Sequence, residues 1–332
     1  MKIGIVGITG AVGQELLELM KERKFSYSEI RLFASNKSIG KKIKFKSKLY
    51  KIIRLNKKNL EGLDLVFFVA GSNVSKKFAT IASNNGSYVI DNSSAFRLNK
   101  NIPLIIPEIN SNTLLSSNSK IIANPNCTTI ISLMGIKPLL NLQKIKRVVA
   151  TSFQSVSGAG NNGMNELLEN TKRFFNNKKS LNKVFNKNIT FNVIPKIGSF
   201  KLNGYTEEEM KFNNESRKIL DDKNILLSAT TVRVPVLRSH SISLNIEFKG
   251  NIEINKIKKE IIKFPGIDLI DNPKKNQFPT PIDSSNRDNC IIGRIRKDYS
   301  KRNCISAWIV GDQIRKGAAL NAIQIAELLV RK

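Results

Sequence analysis

The chain holds one histidine, one tryptophan and three cysteines among its 332 residues. A structural zinc site takes about four Cys or His ligands. Cys127, Cys290, Cys304 and His240 lie far apart, with no ligand or redox spacing. Neither zinc nor another metal is therefore expected. An odd, widely spaced cysteine set also argues against a disulfide framework and fits a reducing, cytoplasmic compartment. Long apolar runs are missing too, and none approaches the ~20 residues that a spanning helix needs. The N-terminus enters a strand pattern at once (Ile3 to Val6), with no charged stretch leading into an apolar core, so no secretory signal is expected. Acidic residues are scarce: 26, against 55 Lys plus Arg, a net charge of +29.

With 41% hydrophobic and 24% charged residues, the chain is too apolar for a disordered polybasic tail. A chain near 300 residues buries roughly three quarters of its unfolded surface, which fits one large or two ordinary domains. The charge raises nucleic acid as a partner. Such a binder shows clustered Lys and Arg interleaved with aromatics, or a recognition signature. Here the lysines are scattered through every segment, commonly beside Asn and Ile. Neither nucleic acid nor membrane is expected as a partner.

The first half alternates short β-branched runs with helical patterns. Ile3 to Val6, Leu65 to Val69, Tyr88 to Ile90 and Ile121 to Ala123 read as strands, and Val12 to Lys21 as a helix. That alternation predicts a doubly wound α/β domain, Rossmann-like. The second half reads as α+β on an antiparallel or mixed sheet. Its strands are Lys146 to Gln154, Ser228 to Val236, Ser241 to Phe248, Cys290 to Arg296 and Cys304 to Val310, with a helix over Asn161 to Phe175. Asn176 to Asn188 reads as an exposed insertion, and Gln313 to Val330 as a closing helix. Arg233 and His240 fall on one extended segment in this reading.

Two short patterns carry chemistry. Gly7-Ile8-Thr9-Gly10-Ala11-Val12-Gly13 follows the first strand and opens the first helix. Glycines there let backbone N–H groups approach a pyrophosphate at the positive end of a helix. A tight strand-helix turn would leave the same pattern, but the strand-turn-helix context favours a dinucleotide. After the second strand comes Ala34-Ser35-Asn36-Lys37-Ser38, without an acid. A ribose 2′-hydroxyl calls for an acid at this point, whereas hydroxyls and Lys37 suit a 2′-phosphate. A solvated surface loop reads the same way. Asn124-Pro125-Asn126-Cys127-Thr128-Thr129 precedes an apolar helical run, placing Cys127 at a helix N-terminus, where a thiol is acidified. A lone cysteine is more often a small buried hydrophobe, but the polar, turn-forming surroundings here point to a nucleophile.

Taken in order, these patterns resemble the aspartate-β-semialdehyde dehydrogenase family. The resemblance runs nearly end to end. It includes Gly7 to Gly13, Ala34 to Lys41, Asp91 to Arg97, Asn126 to Thr129, Gln154 to Gly160, Asn203 to Lys211, Arg233 to Val236 with His240, and Lys316 to Ala319. Each string is weak alone; their order and spacing together are specific. The resemblance implies a Rossmann-like NADP-binding domain plus an α+β catalytic and dimerisation domain, like glyceraldehyde-3-phosphate dehydrogenase. The former would span 1–127 plus 313–332 and the latter 128–312, with a homodimer formed through the second domain's sheet. The implied reaction is reduction of L-aspartyl-4-phosphate by NADPH, releasing phosphate, through a thioester on the nucleophile.

The site residues carry over by position. Cys127 matches the nucleophile, His240 the general acid/base and Gln154 a residue that orients the site. An imidazole suits that role because it ordinarily titrates near working pH. Arg233 matches the carboxylate clamp, Glu208 the group recognising the amine, Lys211 a phosphate- and carboxylate-binding group, and Arg97 and Asn126 the phosphate site. On spacing alone, Glu208 and Lys211 are an ordinary surface pair. The cofactor would meet Gly7, Thr9, Gly10, Ala11, Val12, Gly13, Ser35, Lys37, Ser38, Ser157, Gly158 and Gln313. The pattern is broken at two points. Ile242 stands where many members carry Glu, and Gln313 where Asn is usual. The first change bears on the histidine's pKa or local packing but does not remove a reacting group. N-acetyl-glutamyl-phosphate reductase favours Gly before its cysteine, where this chain has Asn126. Glyceraldehyde-3-phosphate dehydrogenase is disfavoured by the Arg233–His240 segment and the form of the glycine loop. A catalytically dead homologue would be expected to lose Cys127 or His240, and both are present.

Overall fold

The computed structural model describes Met1–Val330, which form two compact units. The borders fall between Asn126 and Cys127 and between Gly317 and Ala318. The sequence expectation had placed them after Cys127 and before Gln313.

The first unit is built on seven strands: β1 (Lys2–Val6), β2 (Glu29–Ala34), β3 (Lys42–Phe45), β4 (Lys48–Arg54), β5 (Leu65–Phe68), β6 (Tyr88–Asp91) and β7 (Ile121–Ala123). Their order is β3-β4-β2-β1-β5-β6-β7, parallel throughout except for the β3/β4 hairpin. The buried strands read as continuous apolar runs, because helices cover both faces of a parallel sheet. Leu65-Val66-Phe67-Phe68 is buried at every position. The chain leaves β1 for β2 on one side and returns to β5 on the other. This reversal makes a ligand crevice beyond the carboxyl ends of β1 and β5.

In place of one helix from Gln313, Arg315–Ala319 form a π turn and the α-helix covers Leu320–Val330. Asp312 breaks the expected run. Its carboxylate Oδ1 accepts from the Ile314 and Arg315 N–H groups, at 2.9 and 3.1 Å, and so ties up the donors of that turn. The helix buries Leu320, Ile323 and Ile325 in the first unit's core with Ile5, Leu16 and Leu19.

The second unit carries a six-stranded mixed sheet. Its strands are β8 (Ile145–Gln154), β9 (Leu226–Arg233), β10 (His240–Phe248), β11 (Ile267–Leu269), β12 (Cys290–Lys297) and β13 (Cys304–Gly311), in the order β11-β12-β13-β10-β8-β9. β9 ends at Arg233, short of the expected Val236. One face of the sheet bears Ile242, Leu244, Ile292 and Ile309 and packs under the apolar helix Cys127–Ile136. Gly135 lets the helix approach the sheet closely, since a Cβ there would meet Ile309 at 3.0 Å. The opposite face carries Thr151, Phe153, Ser243 and Trp308, all half-buried, with the Phe153 and Trp308 rings 5.5 Å apart. The 176–188 segment is exposed for most of its length but is held down from within. Glu166 accepts from the Lys183, Val184 and Phe185 N–H groups, and Asn170 from the Leu181 N–H.

Candidate functional site

In the first unit the glycine loop closes β1 onto the helix Ala11–Glu22. Gly7 sits at φ +100°, and a Cβ on it would lie 2.9 Å from the Val69 and Ala70 backbone. A Cβ on Gly13 would lie 2.5 Å from the Gly7 carbonyl oxygen. These two glycines are demanded by packing. Gly10 is different: it caps the helix, and a Cβ there would meet only the Gly7 oxygen, at 3.4 Å. The space before the helix N-terminus is therefore open to a ligand, as a pyrophosphate site requires. The Phe33 carbonyl accepts from the Gly7 and Ile8 N–H groups, at 2.9 and 3.1 Å. That contact brings the Ser35, Lys37 and Ser38 turn to the same end of the sheet. Ser35 and Lys37 are exposed and Ser38 is half-buried.

Arg97 and Asn126 also belong to this unit, and both are buried. The Arg97 guanidinium donates to the Asn124 and Asn92 carbonyls, at 2.9 and 2.7 Å. Beside it, both side-chain amide atoms of Asn92 are buried without a partner. The turn is pinned by Asp91, whose carboxylate accepts from Ser75 and Ser93. Burial raises the Asp91 carboxyl above its ordinary range.

The second unit gathers the remaining residues. Arg233 and His240 do not share an extended segment. They end β9 and begin β10, with β8 lying between those strands. β8 runs parallel to β9, so Gln154 pairs with Arg233; β10 runs antiparallel, so Ser241 pairs with Phe153. Strand order, not sequence proximity, sets the three side by side. Cys127 opens its helix and is half-buried, and a thiolate there would support the Arg233 charge. Gln154 Nε2 donates to Thr128 Oγ1 at 2.8 Å and to Glu208 Oε1 at 3.4 Å. Lys211 Nζ donates to Glu208 Oε2 at 3.0 Å.

Glu208 is therefore not half of a surface pair: it is buried, and its carboxylate is shared between Gln154 and Lys211. The helix that carries it, Glu207–Leu220, is set by a capping box between Thr206 and Glu209. Glu209 Oε1 also accepts from the Thr231 N–H on β9 at 3.0 Å, fixing the helix against the sheet.

His240 is wholly buried. Burial first, then the Arg233 charge, pushes its pKa down to about 3. The resting ring is thus neutral and does not titrate near pH 7, contrary to the expectation from an ordinary imidazole. Nδ1 lies 3.1 Å from the Ser155 N–H and 3.1 Å from Ser155 Oγ, while Nε2 is buried without a partner. Burial also works against the Arg233 charge, which Glu208 and Cys127 support. Arg233 Nη1 donates to the Ser155 carbonyl at 2.6 Å. Gly158 lies against this pair: a Cβ there would come within 2.7 Å of Arg233 Nη1 and 3.2 Å of His240 Cε1. Ser157 Oγ accepts from Gln313 Nε2. Ile242 is fully buried on the apolar face, paired with Ser152 and Ile309.

Sequence reasoning gave no role to Ser155, which touches both His240 and Arg233. It stands directly after Gln154 in a polar Ser-Val-Ser-Gly run, and that was the one available signal. Among the described residues there is no cluster of three or more His, Cys, Asp or Glu able to hold a metal. No helix among them is long and apolar enough to cross a membrane.

Comparison with known proteins bears on both units. Residues 2–117 match the family model "Semialdehyde dehydrogenase, NAD binding domain", and residues 136–316 match "Semialdehyde dehydrogenase, dimerisation domain". The aspartate-semialdehyde dehydrogenase of Synechocystis sp. is 43% identical over 332 residues, covering 100% of this chain and 98% of that protein. The Rickettsia bellii enzyme is 45% identical over 331 residues, covering 99% and 97%. The crystal structure of aspartate semialdehyde dehydrogenase II from Vibrio cholerae, complexed with ASA, superposes with a TM-score of 0.97. It is 40% identical and covers 100% of this chain and 98% of its own.

Proposed function

Because the chain belongs to the aspartate-semialdehyde dehydrogenase family, we propose that it reduces L-aspartyl-4-phosphate to L-aspartate-4-semialdehyde and phosphate, reversibly, with NADPH. The reading is carried by the gathering of Cys127, Arg233, Glu208 and His240 in one unit, with Cys127 at a helix N-terminus in the field of Arg233.

Cys127 attacks the acyl carbon as thiolate; the S–C bond forms and the C–O bond to phosphate breaks, leaving a thioester. The helix N-terminus and the Arg233 cation both favour the thiolate. Arg233 presents a planar fork to the substrate carboxylate, while the Glu208 carboxylate takes the amine. Lys211, Arg97 and Asn126 hold the phosphate, and Gln154 orients the thiol's surroundings through Thr128. His240 is the acid/base partner of the reacting oxygen. NADPH, when bound, supplies the hydride that reduces the thioester. The open space before Gly10 takes its pyrophosphate, with Thr9, Ala11 and Val12 beside it. Ser35, Lys37 and Ser38 suit a 2′-phosphate, which favours NADP over NAD. The product feeds amino-acid biosynthesis, on the lysine/diaminopimelate, threonine and methionine branches.

Two copies associate through the open face of the six-stranded sheet, where Phe153 and Trp308 are only half-buried. Light scattering on the purified protein should give twice the chain mass. With aspartate semialdehyde, phosphate and NADP⁺, the protein should generate NADPH absorbance, and Cys127→Ala should abolish it. A folded wild-type protein that is silent in that assay overturns the reading.

A further inference from the structure

Beneath the candidate catalytic imidazole runs a chain of polar groups with a fixed direction. At one end the Ser239 N–H donates to Gln313 Oε1 at 2.7 Å. A backbone N–H can only donate, so the Gln313 amide must turn its oxygen to it and its nitrogen away. That nitrogen donates to Ser157 Oγ. Ser157 Oγ lies 3.0 Å from Ser155 Oγ, which lies 3.1 Å from His240 Nδ1. At the other end the Ser155 N–H donates to Nδ1 at 3.1 Å. Nδ1 is therefore an acceptor.

Each serine hydroxyl has a single proton. Ser155 gives its proton to Nδ1 and accepts from Ser157; Ser157 gives its proton to Ser155 and accepts from Gln313. In this direction neither serine proton lacks an acceptor, the Nδ1 lone pair is shared between the Ser155 N–H and Oγ–H, and backbone donors stand at both ends. All five residues are buried. In a buried network a reversed link leaves an unpaired polar group, which is costly.

We propose that Ser155, Ser157 and Gln313 are positioning residues, forming a one-way relay that holds His240 as the neutral Nε2–H tautomer and presents Nε2–H as a hydrogen-bond donor to the reacting oxygen. The relay gives Ser157 and Gln313 a task besides meeting the cofactor. The charged groups that act on the ring are Arg233, which opposes a second proton, and Glu208, which favours one. The tautomer does not depend on the substrate's identity; its use in turnover rests on the reduction proposed above. There, hydride adds to the thioester carbon and Nε2–H holds the oxyanion that forms. The C–S bond then breaks, its electron pair returns to sulfur, and the oxyanion becomes the aldehyde carbonyl. Over this half-reaction the ring ends in the neutral state in which it began.

The chain has one histidine, so protein labelled with ¹⁵N-histidine gives one pair of ring-nitrogen signals. Between pH 5.5 and 8.5 Nε2 should show the protonated type of shift and Nδ1 the unprotonated type, with no titration. An Nδ1–H pattern, or a midpoint inside that window, overturns the proposal. Gln313→Glu keeps an acceptor for Ser239 but removes the donor to Ser157; it should lower kcat while the Ser155 N–H keeps the Nε2–H tautomer. Ser155→Ala should lower kcat on the order of tenfold with little change in KM, and Ser155→Thr should restore it. An unchanged spectrum and an unchanged kcat in Ser155→Ala would sink the hydroxyl relay even if that variant folds well. If a variant does not fold, the wild-type spectrum still decides. A wild-type spectrum as expected from a protein inactive on aspartate semialdehyde would leave the relay standing and remove the reaction.

Discussion

His240 is fully buried and its pKa lies at about 3, against about 6.5 in an unfolded chain. Below pH 6.5 the unfolded state binds more protons than the folded one. The stability contributed by this neutral ring is therefore fully present above about pH 6.5 and is lost as pH falls toward 3. The loss should approach roughly 1.4 kcal/mol per pH unit within that window. Urea unfolding of wild type and His240→Asn at a series of pH values checks this, and the variant should lack that part of the slope. At Gly158 the expected effect is catalytic. A methyl group there collides with Arg233 Nη1, while the position itself is exposed. Gly158→Ala should raise KM for the carboxylate substrate by about tenfold or more with Tm nearly unchanged, because one guanidinium fork is worth a few kcal/mol at most. Equal KM values for the two proteins would remove Arg233 from the carboxylate site.

Two local devices decide where functional side chains lie along their elements. The Thr206–Glu209 capping box sets the first turn of the helix that carries Glu208 and Lys211. Thr206→Ala should cost about 1 kcal/mol, read by urea unfolding. It should also raise KM, since the Glu208 carboxylate depends on that turn. A loss of stability with wild-type KM would separate the cap from the site. In the glycine loop, Gly13 has no room for a Cβ, whereas Gly10 does. Gly13→Ala should destabilise the first unit by about 1–3 kcal/mol. Gly10→Ala should be far milder for stability yet weaken cofactor binding, because its methyl enters the space before the helix. Thermal unfolding with and without NADP⁺ distinguishes the two.

Across the whole chain, the proposed reaction calls on few cations: Arg97, Lys211, Arg233 and Lys37. The rest of the +29 charge is spread over the segments as a compositional bias. Its physical consequence is a field. The proposed ligands, aspartyl phosphate, phosphate and NADPH, are all anions, and a positive potential would raise their local concentration. Added salt screens such a field over about 8–10 Å at physiological strength. The value of kcat/KM should therefore fall as salt rises from about 10 to 200 mM, while kcat at saturation stays level. A flat kcat/KM profile would leave the charge without a role in capture.

What could be read directly was local. The strands and helices that periodicity named lie mostly within a residue or two of the observed ones, because a buried parallel strand must be apolar throughout and a helix lying on a core must be apolar on one side. The glycine loop and the position of Cys127 at a helix start followed from strand-turn-helix order. The misreadings arose where a distant or non-local partner overrode local preference. Asp312 ties up the N–H groups after it, so a π turn replaces the first part of the closing helix. Gln154, Arg233 and His240 meet through the strand order β10-β8-β9, which no spacing reveals. Burial turned Glu208 from an apparent surface partner into a shared carboxylate, and lowered His240 away from the pH at which a free imidazole titrates. The sequence by itself determined which chemical groups are present and which elements carry them, since those depend on residues a few positions apart. Only the tertiary structure decided which groups face one another, how dry each is and which nitrogen of His240 is an acceptor. Those properties depend on atoms brought together from 54 to 156 residues apart along the chain.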